Sequence, residues 1–362
     1  MSSADFASSL SELIASSPSA SLDGSARYVF LSDLHMGNGG GRDDLEPNRS
    51  LALAALSRWY LERGYVLILG GDIEDLQKFS LSAIRRAWGE LYEIFDAFAE
   101  RGALWKLVGN HDLSLLREKD YPYPLYHGLG LERGGRALFC FHGHQASKFF
   151  AKHNYLSGFV VRYLAKPLKV KNSNVSGDSR KKFKAERRIY RASKTLGIVS
   201  ICGHTHRPLF ESLSKYDSLR WSIEELLQRY MTSSGEERLK IVELVDLYRR
   251  ECERLGKDDL RWDLSKGLYE ENSLLIPCVF NSGCATGKNG ITALEIEGSA
   301  VDDSSRGKIG LVHWARGGRS RPYISQEALL RDRLDGVDAT RYLLRQSDLD
   351  QVFARIELLA RP

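Results

Sequence analysis

Short apolar runs rich in β-branched and aromatic residues recur through the first half of the chain, each ending at a glycine or a polar turn. Tyr28–Leu31, Tyr65–Leu69, Leu104–Val108, Ala137–Phe141 and Ile198–Cys202 predict five strands. Between them, Arg49–Arg63 and Leu81–Arg101 place apolar residues at helical spacing. Strands alternating with helices argue for a layered α/β domain. Further on, Ile276–Asn281, Ile291–Glu297 and Lys308–Trp314 predict three strands with Gly-rich connections, a second sheet or an edge completing the core. Two helix-like stretches follow, Gln326–Arg333 and Ala339–Leu359, within a C-terminal helical segment at 321–362. The Ser/Ala-rich start, residues 1–25, predicts a loose leader with a short helix over Phe6–Ile14.

Two stretches interrupt the predicted core domain, which spans 26–320. The one at 212–273 is helical, with helices over Ser222–Tyr230 and Glu236–Leu255, the second stopped by Gly256. In the second helix Ile241, Val245, Tyr248, Cys252 and Leu255 form an apolar seam suited to a partner helix, so 236–255 is a candidate oligomer contact. The other interruption, 146–193, is basic. Between Lys148 and Lys194 fourteen Lys and Arg stand against two acids, Asp178 and Glu186, so this stretch carries +12 in a chain whose total is +5. Arg162, Lys166, Lys169, Lys171, Arg180–Lys182, Lys184, Arg187 and Arg188 are interleaved with Phe149, Phe150, Tyr155, Phe159, Tyr163, Phe183 and Tyr190. That pattern reads as a solvated loop, or as a lid or contact surface at 148–194 for an anionic membrane surface or nucleic acid.

With 43% hydrophobic and 27% charged residues over 362 positions, the composition excludes collagen-like, mucin-like and wholly disordered chains. No apolar run approaches the roughly 18 residues that span a bilayer. The N-terminus lacks a basic region followed by an apolar one, so a cytoplasmic location, peripheral to a membrane if the basic stretch docks there, is the expectation. Five cysteines without a CxxC pair predict buried free thiols rather than a thiolate zinc site.

The strand ends carry the chemistry. They read Ser32-Asp33-Leu34-His35, Gly70-Gly71-Asp72-Ile73-Glu74-Asp75, Gly109-Asn110-His111-Asp112, His142-Gly143-His144 and Gly203-His204-Thr205-His206. Open α/β sheets place their sites at such ends. In extended backbone, residues i and i+2 face the same way, so Asp33/His35 and His204/His206 can each aim two ligands at one pocket. Mixed Asp, His and Asn donors suit Mn, Fe, Zn, Co or Ni. A bridging carboxylate could hold two such ions about 3.5–4 Å apart over a phosphoryl group.

These five ordered elements resemble the calcineurin-like metallophosphoesterases, whose pattern is D-x-H, G-D-x-x-D, G-N-H-[DE], a later H, and G-H-x-H. The resemblance implies a layered β-sandwich flanked by helices, with helical insertions, and hydrolysis of a phosphorylated substrate at two divalent metal ions. It implies that Asp33, His35 and His206 hold the first ion, that Asp72 bridges, and that Asn110, His142 and His204 hold the second. It also implies that His111 is the general acid and Asp75 the carboxylate orienting it; Asp112, next to His111, is the alternative. Candidate substrate contacts are Arg207, His144 and Asn38. The run Gly203–Pro208 and the basic insertion are similar to the UDP-2,3-diacylglucosamine pyrophosphatases, which differ in having Arg at the His111 position and HGD where this chain has His142-Gly143-His144. A nuclease of the same family and a catalytically inactive binding scaffold are the competing expectations.

Overall fold

Every β-rich run of the first half becomes a strand, and the pleat of those strands sets the layers. In the computed structural model, residues 3–146, 179–259, 275–286, 290–299, 306–317 and 322–360 are described. Among them are two mixed sheets and nine α-helices in a layered α/β arrangement. In the first sheet β2 (Arg27–Leu31), β3 (Val66–Gly70), β4 (Leu104–Leu107) and β5 (Leu125–Tyr126) run parallel. On the other side of β2, β12 (Ile291–Glu297), β13 (Lys308–Ala315), β15 (Thr340–Asp348) and β14 (Leu330–Arg333) continue it antiparallel. The second sheet has the order β1 (Ser19–Ser21), β6 (Gly128–Arg133), β7 (Arg136–Phe141), β8 (Val199–Cys202), β11 (Val279–Asn281), β9 (Leu209–Phe210), β10 (Leu213–Ser214).

Side chains alternate across the first sheet. Tyr28, Phe30 and Ile68 join a core shared with Leu138, Cys140 and Ile201 of the second sheet. Val29, Leu31, Leu67 and Leu69 meet the helices of the opposite layer. Those helices are α2 (Arg49–Ala54, continued by a π-helical turn to Leu61), α3 (Leu81–Ala87) and α4 (Gly89–Glu100). The single helix predicted over Leu81–Arg101 is broken at Trp88, which leaves helical geometry to bury its ring and donate its indole N–H to Asp43 Oδ2 at 2.9 Å.

Helices α1 (Ser3–Ser16) and α5 (Ser179–Leu196) cover the second sheet. The N-terminus is therefore no loose leader: Phe6, Leu10 and Leu13 form a buried stripe at helical spacing, and β1 pairs in parallel with β6. The Ser-rich composition masks that stripe. The C-terminal expectation also needs correction. Gln326–Arg333 spans the end of α8 (Pro322–Glu327) and strand β14, and Ala339–Leu359 is β15 followed by α9 (Leu349–Leu359). Pairing of Thr340–Asp348 with β13 overrides the helical spacing there, and Asp348 Oδ1 caps α9 by accepting from the Asp350 and Gln351 N–H groups.

The helical insertion forms α6 (Lys215–Thr232) and α7 (Gly235–Asp259), both longer than predicted; Gly256 lies inside the helix rather than stopping it. The seam of α7 finds its partner helix within the chain, packing with Leu219 and Leu226 of α6 and with Ile324 and Tyr342. All five cysteines are free, and Cys140, Cys202 and Cys278 are buried as expected. Among the described residues no helix is long and apolar enough to cross a membrane.

Candidate metal centre

The ends of β2, β3 and β4 meet those of β7 and β8 where the two sheets face each other, and the loops that follow converge. Main-chain bonds stitch them together: Asp33 N–H donates to Gly71 O (3.1 Å), His35 N–H to Asp72 O (3.0 Å) and Gly203 N–H to His142 O (3.0 Å). Asp33, His35, Asp72, His204 and His206 all have left-handed backbone, with φ of 55°, 49°, 53°, 69° and 56°. The extended pleat expected for Asp33/His35 and His204/His206 is thus replaced by tight turns. Such conformations cost roughly 1–2 kcal/mol each in ordinary residues and persist where the surroundings enforce them. Two glycines permit the crowding: a Cβ on Gly109 would strike the Asp72 carboxylate, and one on Gly203 would strike Ser32 and Asp33.

Three groups have their donor atoms within 4.8 Å of one another: an outer trio of Asp33, His35 and His206, an inner trio of Asp72, His142 and His204, and a third group of His35, Asp75 and His111. In the outer trio, His206 Nε2 lies 3.0 Å from Asp33 Oδ1 and 3.1 Å from His35 Nε2. In the inner trio, Asp72 and His204 join His142, whose Nε2 is 3.2 Å from Asp72 Oδ2. His35 Nε2 lies 3.9 Å from both Asp33 Oδ1 and Asp72 Oδ2, linking the trios. His204 and His206 therefore serve different trios. Supporting contacts fix the ligands: His142 Nδ1 faces Gly70 O at 3.0 Å, and Asp33 Oδ2 accepts from Ser32 Oγ (2.5 Å) and His204 N–H (2.9 Å).

Cations fit this donor set. Asn110 Oδ1 and His204 Nε2 are buried without a hydrogen-bond partner, an arrangement that is costly unless something else binds them. Burial opposes ionisation of Asp33, but His206 and His142 outweigh it and hold the carboxyl at about 2. Burial is likewise outweighed at Asp72, chiefly by His142, and the carboxyl stays well below the usual range. Burial pushes His35 down to about 4 and His204 down to about 3, so both are neutral donors at pH 7. At His142 and His206 burial loses to Asp72 and Asp33 respectively, and the rings rise to about 9 and about 10.

His111 Nδ1 lies 2.9 Å from Asp75 Oδ1, and the main-chain N–H of His111 donates to Asp72 Oδ1 at 2.7 Å. Asp112, the alternative partner, is occupied elsewhere: it accepts from Gly109 N–H (2.6 Å), Ile73 N–H (2.9 Å) and Lys106 Nζ (2.5 Å). Sequence reasoning missed Lys106 and Glu74. Lys106 is fully buried and bridges Asp112 to Glu74 Oε2 (3.1 Å), while Tyr92 and Tyr121 donate to Glu74 Oε1 at 3.0 and 2.6 Å. This network clamps the two loops that carry Asp72 and Asn110. Its signal was a lysine inside the apolar run Leu104–Val108.

The three suggested substrate contacts are placed differently. Arg207 donates through Nε and Nη2 to Glu186. His144 is buried beside His142, with ring centroids 5.3 Å apart. Asn38 is exposed and accepts from Gly40 N–H at 3.2 Å, closing its own turn. Of the basic stretch, 147–178, with Arg162, Lys166, Lys169 and Lys171, lies outside the described residues.

No protein-family model, curated protein or solved structure matches the chain. The chemistry of the site has to follow from its own geometry.

Proposed function

We propose that the chain is a metal-dependent phosphoesterase of the calcineurin-like type, hydrolysing a phosphate ester or phosphoanhydride at a dinuclear centre, with that family's β-sandwich as scaffold. The observation that carries this reading is the position of Asp72, whose Oδ2 is 3.2 Å from His142 of one trio and 3.9 Å from His35 of the other. Asp33, His35 and His206 would hold one ion and Asn110, His142 and His204 the second, with Asp72 shared. Divalent ions bound there supply Lewis acidity to a phosphoryl oxygen and make water acidic enough to attack near neutral pH.

The chain's own residues supply positioning and the proton. Asp75 accepts from His111 Nδ1, which leaves Nε2 to carry the proton taken by the departing oxygen. Burial opposes protonation of His111, but the hydrogen bond to Asp75 and the charge of Asp72 raise its pKa above the ordinary value. The carboxylates behind the ring thus favour its protonated form.

The test is a substrate panel with added manganese: p-nitrophenyl phosphate, bis-p-nitrophenyl phosphate, a UDP-sugar and single-stranded DNA. Hydrolysis of one or more, with two divalent ions per chain by elemental analysis, is expected. Cleavage of DNA alone would assign a nuclease, and of the UDP-sugar alone a pyrophosphatase. Bound metal without any hydrolysis would leave a binding scaffold, and absence of both metal and hydrolysis would overturn the reading altogether.

A further inference from the structure

We propose that Glu186, on the basic helix α5, is a positioning residue for the two histidine ligands of the loop after β8. This rests on the metallophosphoesterase reading and deepens it. Between Arg180 and Arg191 Glu186 is the one acid among seven Lys and Arg, and it is turned inward, 1% exposed. Its Oε1 accepts from Thr205 Oγ1 at 2.7 Å and from Arg207 Nε at 3.2 Å, and Oε2 accepts from Arg207 Nη2. Thr205 stands between His204 and His206, and Arg207 follows them. One carboxylate therefore grips both flanks of His206 and the residue after His204.

That grip matters because of the loop's conformation. His204 and His206 both have left-handed backbone, and they feed different trios. Any relaxation of the loop would move a ligand in each. Asn281 holds it from the other side, its Nδ2 donating to Gly203 O at 2.7 Å and to Thr205 Oγ1 at 3.2 Å. Glu186 supplies the opposing contact from a firmly seated helix: Ile189 and Ala192 are buried, Ser193 Oγ is 2.7 Å from Ser200 Oγ of β8, and Arg188 Nη1 donates to Ala146 O at 2.7 Å. Helix α5 thus reaches the ligand loop through Glu186, and Arg207 is spent on that link.

The experiment is titration of metal-free full-length protein with Mn²⁺ by calorimetry, and with Co²⁺ by visible absorption. Glu186→Ala, Thr205→Val and the double variant are compared with wild type. Glu186→Ala is expected to weaken Mn²⁺ binding about 10–100-fold and to alter the Co²⁺ spectrum, as for other residues that orient metal ligands. Thr205→Val should weaken it less, and in the Glu186→Ala background should add only the share owed to the remaining Asn281 contact. Should Glu186→Ala not fold, Glu186→Gln keeps the shape but loses the charged fork to Arg207, and should shift affinity and spectrum in the same direction. Affinities within about twofold of wild type and an unchanged Co²⁺ spectrum would overturn the proposal, whatever happens to melting temperature. If wild type itself binds neither ion, it is the metal reading that fails, and the role of Glu186 falls with it.

Discussion

The inner trio of Asp72, His142 and His204 and the outer trio of Asp33, His35 and His206 share one donor chemistry, but the most exposed ligand of the six, His206, belongs to the second. The side chain of His142 is completely buried, whereas His206 is 17% exposed and neighbouring His111 is 14% exposed. The inner ligands are pressed against Gly70 and Gly109, and the nearby Lys106–Glu74–Asp112 network braces them from within. Of the outer ones His206 stands at the mouth, and His111 of the His111–Asp75 pair packs edge-on against His35, ring centroids 4.5 Å apart. On the phosphoesterase reading, substrate enters over the outer trio while the inner one is a fixed floor.

The strongest way to break that contrast is to remove the residue both trios share. Asp72→Ala should abolish turnover and reduce bound metal from two ions, measured by elemental analysis beside the panel assay; two retained ions would end its bridging role. Next is the mouth itself. His111→Ala should keep both ions yet slow substrates with poor leaving groups by roughly 10²–10⁴-fold, and p-nitrophenyl phosphate by less. Equal losses would show that His111 is not the acid.

The floor can be tested without touching a ligand. Lys106→Met leaves the Glu74 and Asp112 carboxylates buried without their cation, and should cost about 3–5 kcal/mol in denaturant unfolding. A change below about 1 kcal/mol would mean the network is no brace. A smaller effect is expected on the exposed rim of α5. Lys184→Glu with Arg191→Glu should raise KM for a large anionic substrate in a salt-sensitive way and spare the small ester; identical kinetics on every substrate would favour a merely solvated face.

The smallest effect is expected in the helical insertion. Burial opposes ionisation of Glu251, but Arg254 and Lys215 hold its carboxyl at about 2, against 4.5 when unperturbed. A depressed carboxyl stabilises the fold above its unfolded value and loses that contribution as pH falls through 4.5 towards 2. Wild type should therefore exceed Glu251→Gln in stability at pH 6, and the gap should close by about pH 2. A gap that does not depend on pH would rule out the ionised pair as its source.

The ligands were legible because each follows a β-rich run directly, so that finding the strand end finds the donor. Choosing Asp75 over Asp112 was not possible from spacing; it takes the three donors that already occupy Asp112. Lys106 was hidden because a lone lysine on a strand usually faces water, and only its register opposite buried Leu69 shows that it points inward. Glu186 was lost in the charge of its neighbours. The strand Thr340–Asp348 was hidden because Tyr342, Leu343 and Leu344 are consecutive rather than alternating, which masks the strand period, and the amphipathic helix α9 follows from Leu349.

The pairing of β2 with β12 bears on how the chain is made. Val29 lies opposite Glu295, so the strand leading to Asp33 and His35 keeps one edge unpaired until most of the chain has been synthesised. At translation rates of about 5–20 residues per second, the roughly 260 intervening residues take some 13–50 s to emerge. During that interval β2 offers an open, apolar sheet edge to any other nascent chain. Slower initiation or a lower growth temperature, rather than any change to the finished protein, is the lever this topology provides for yield.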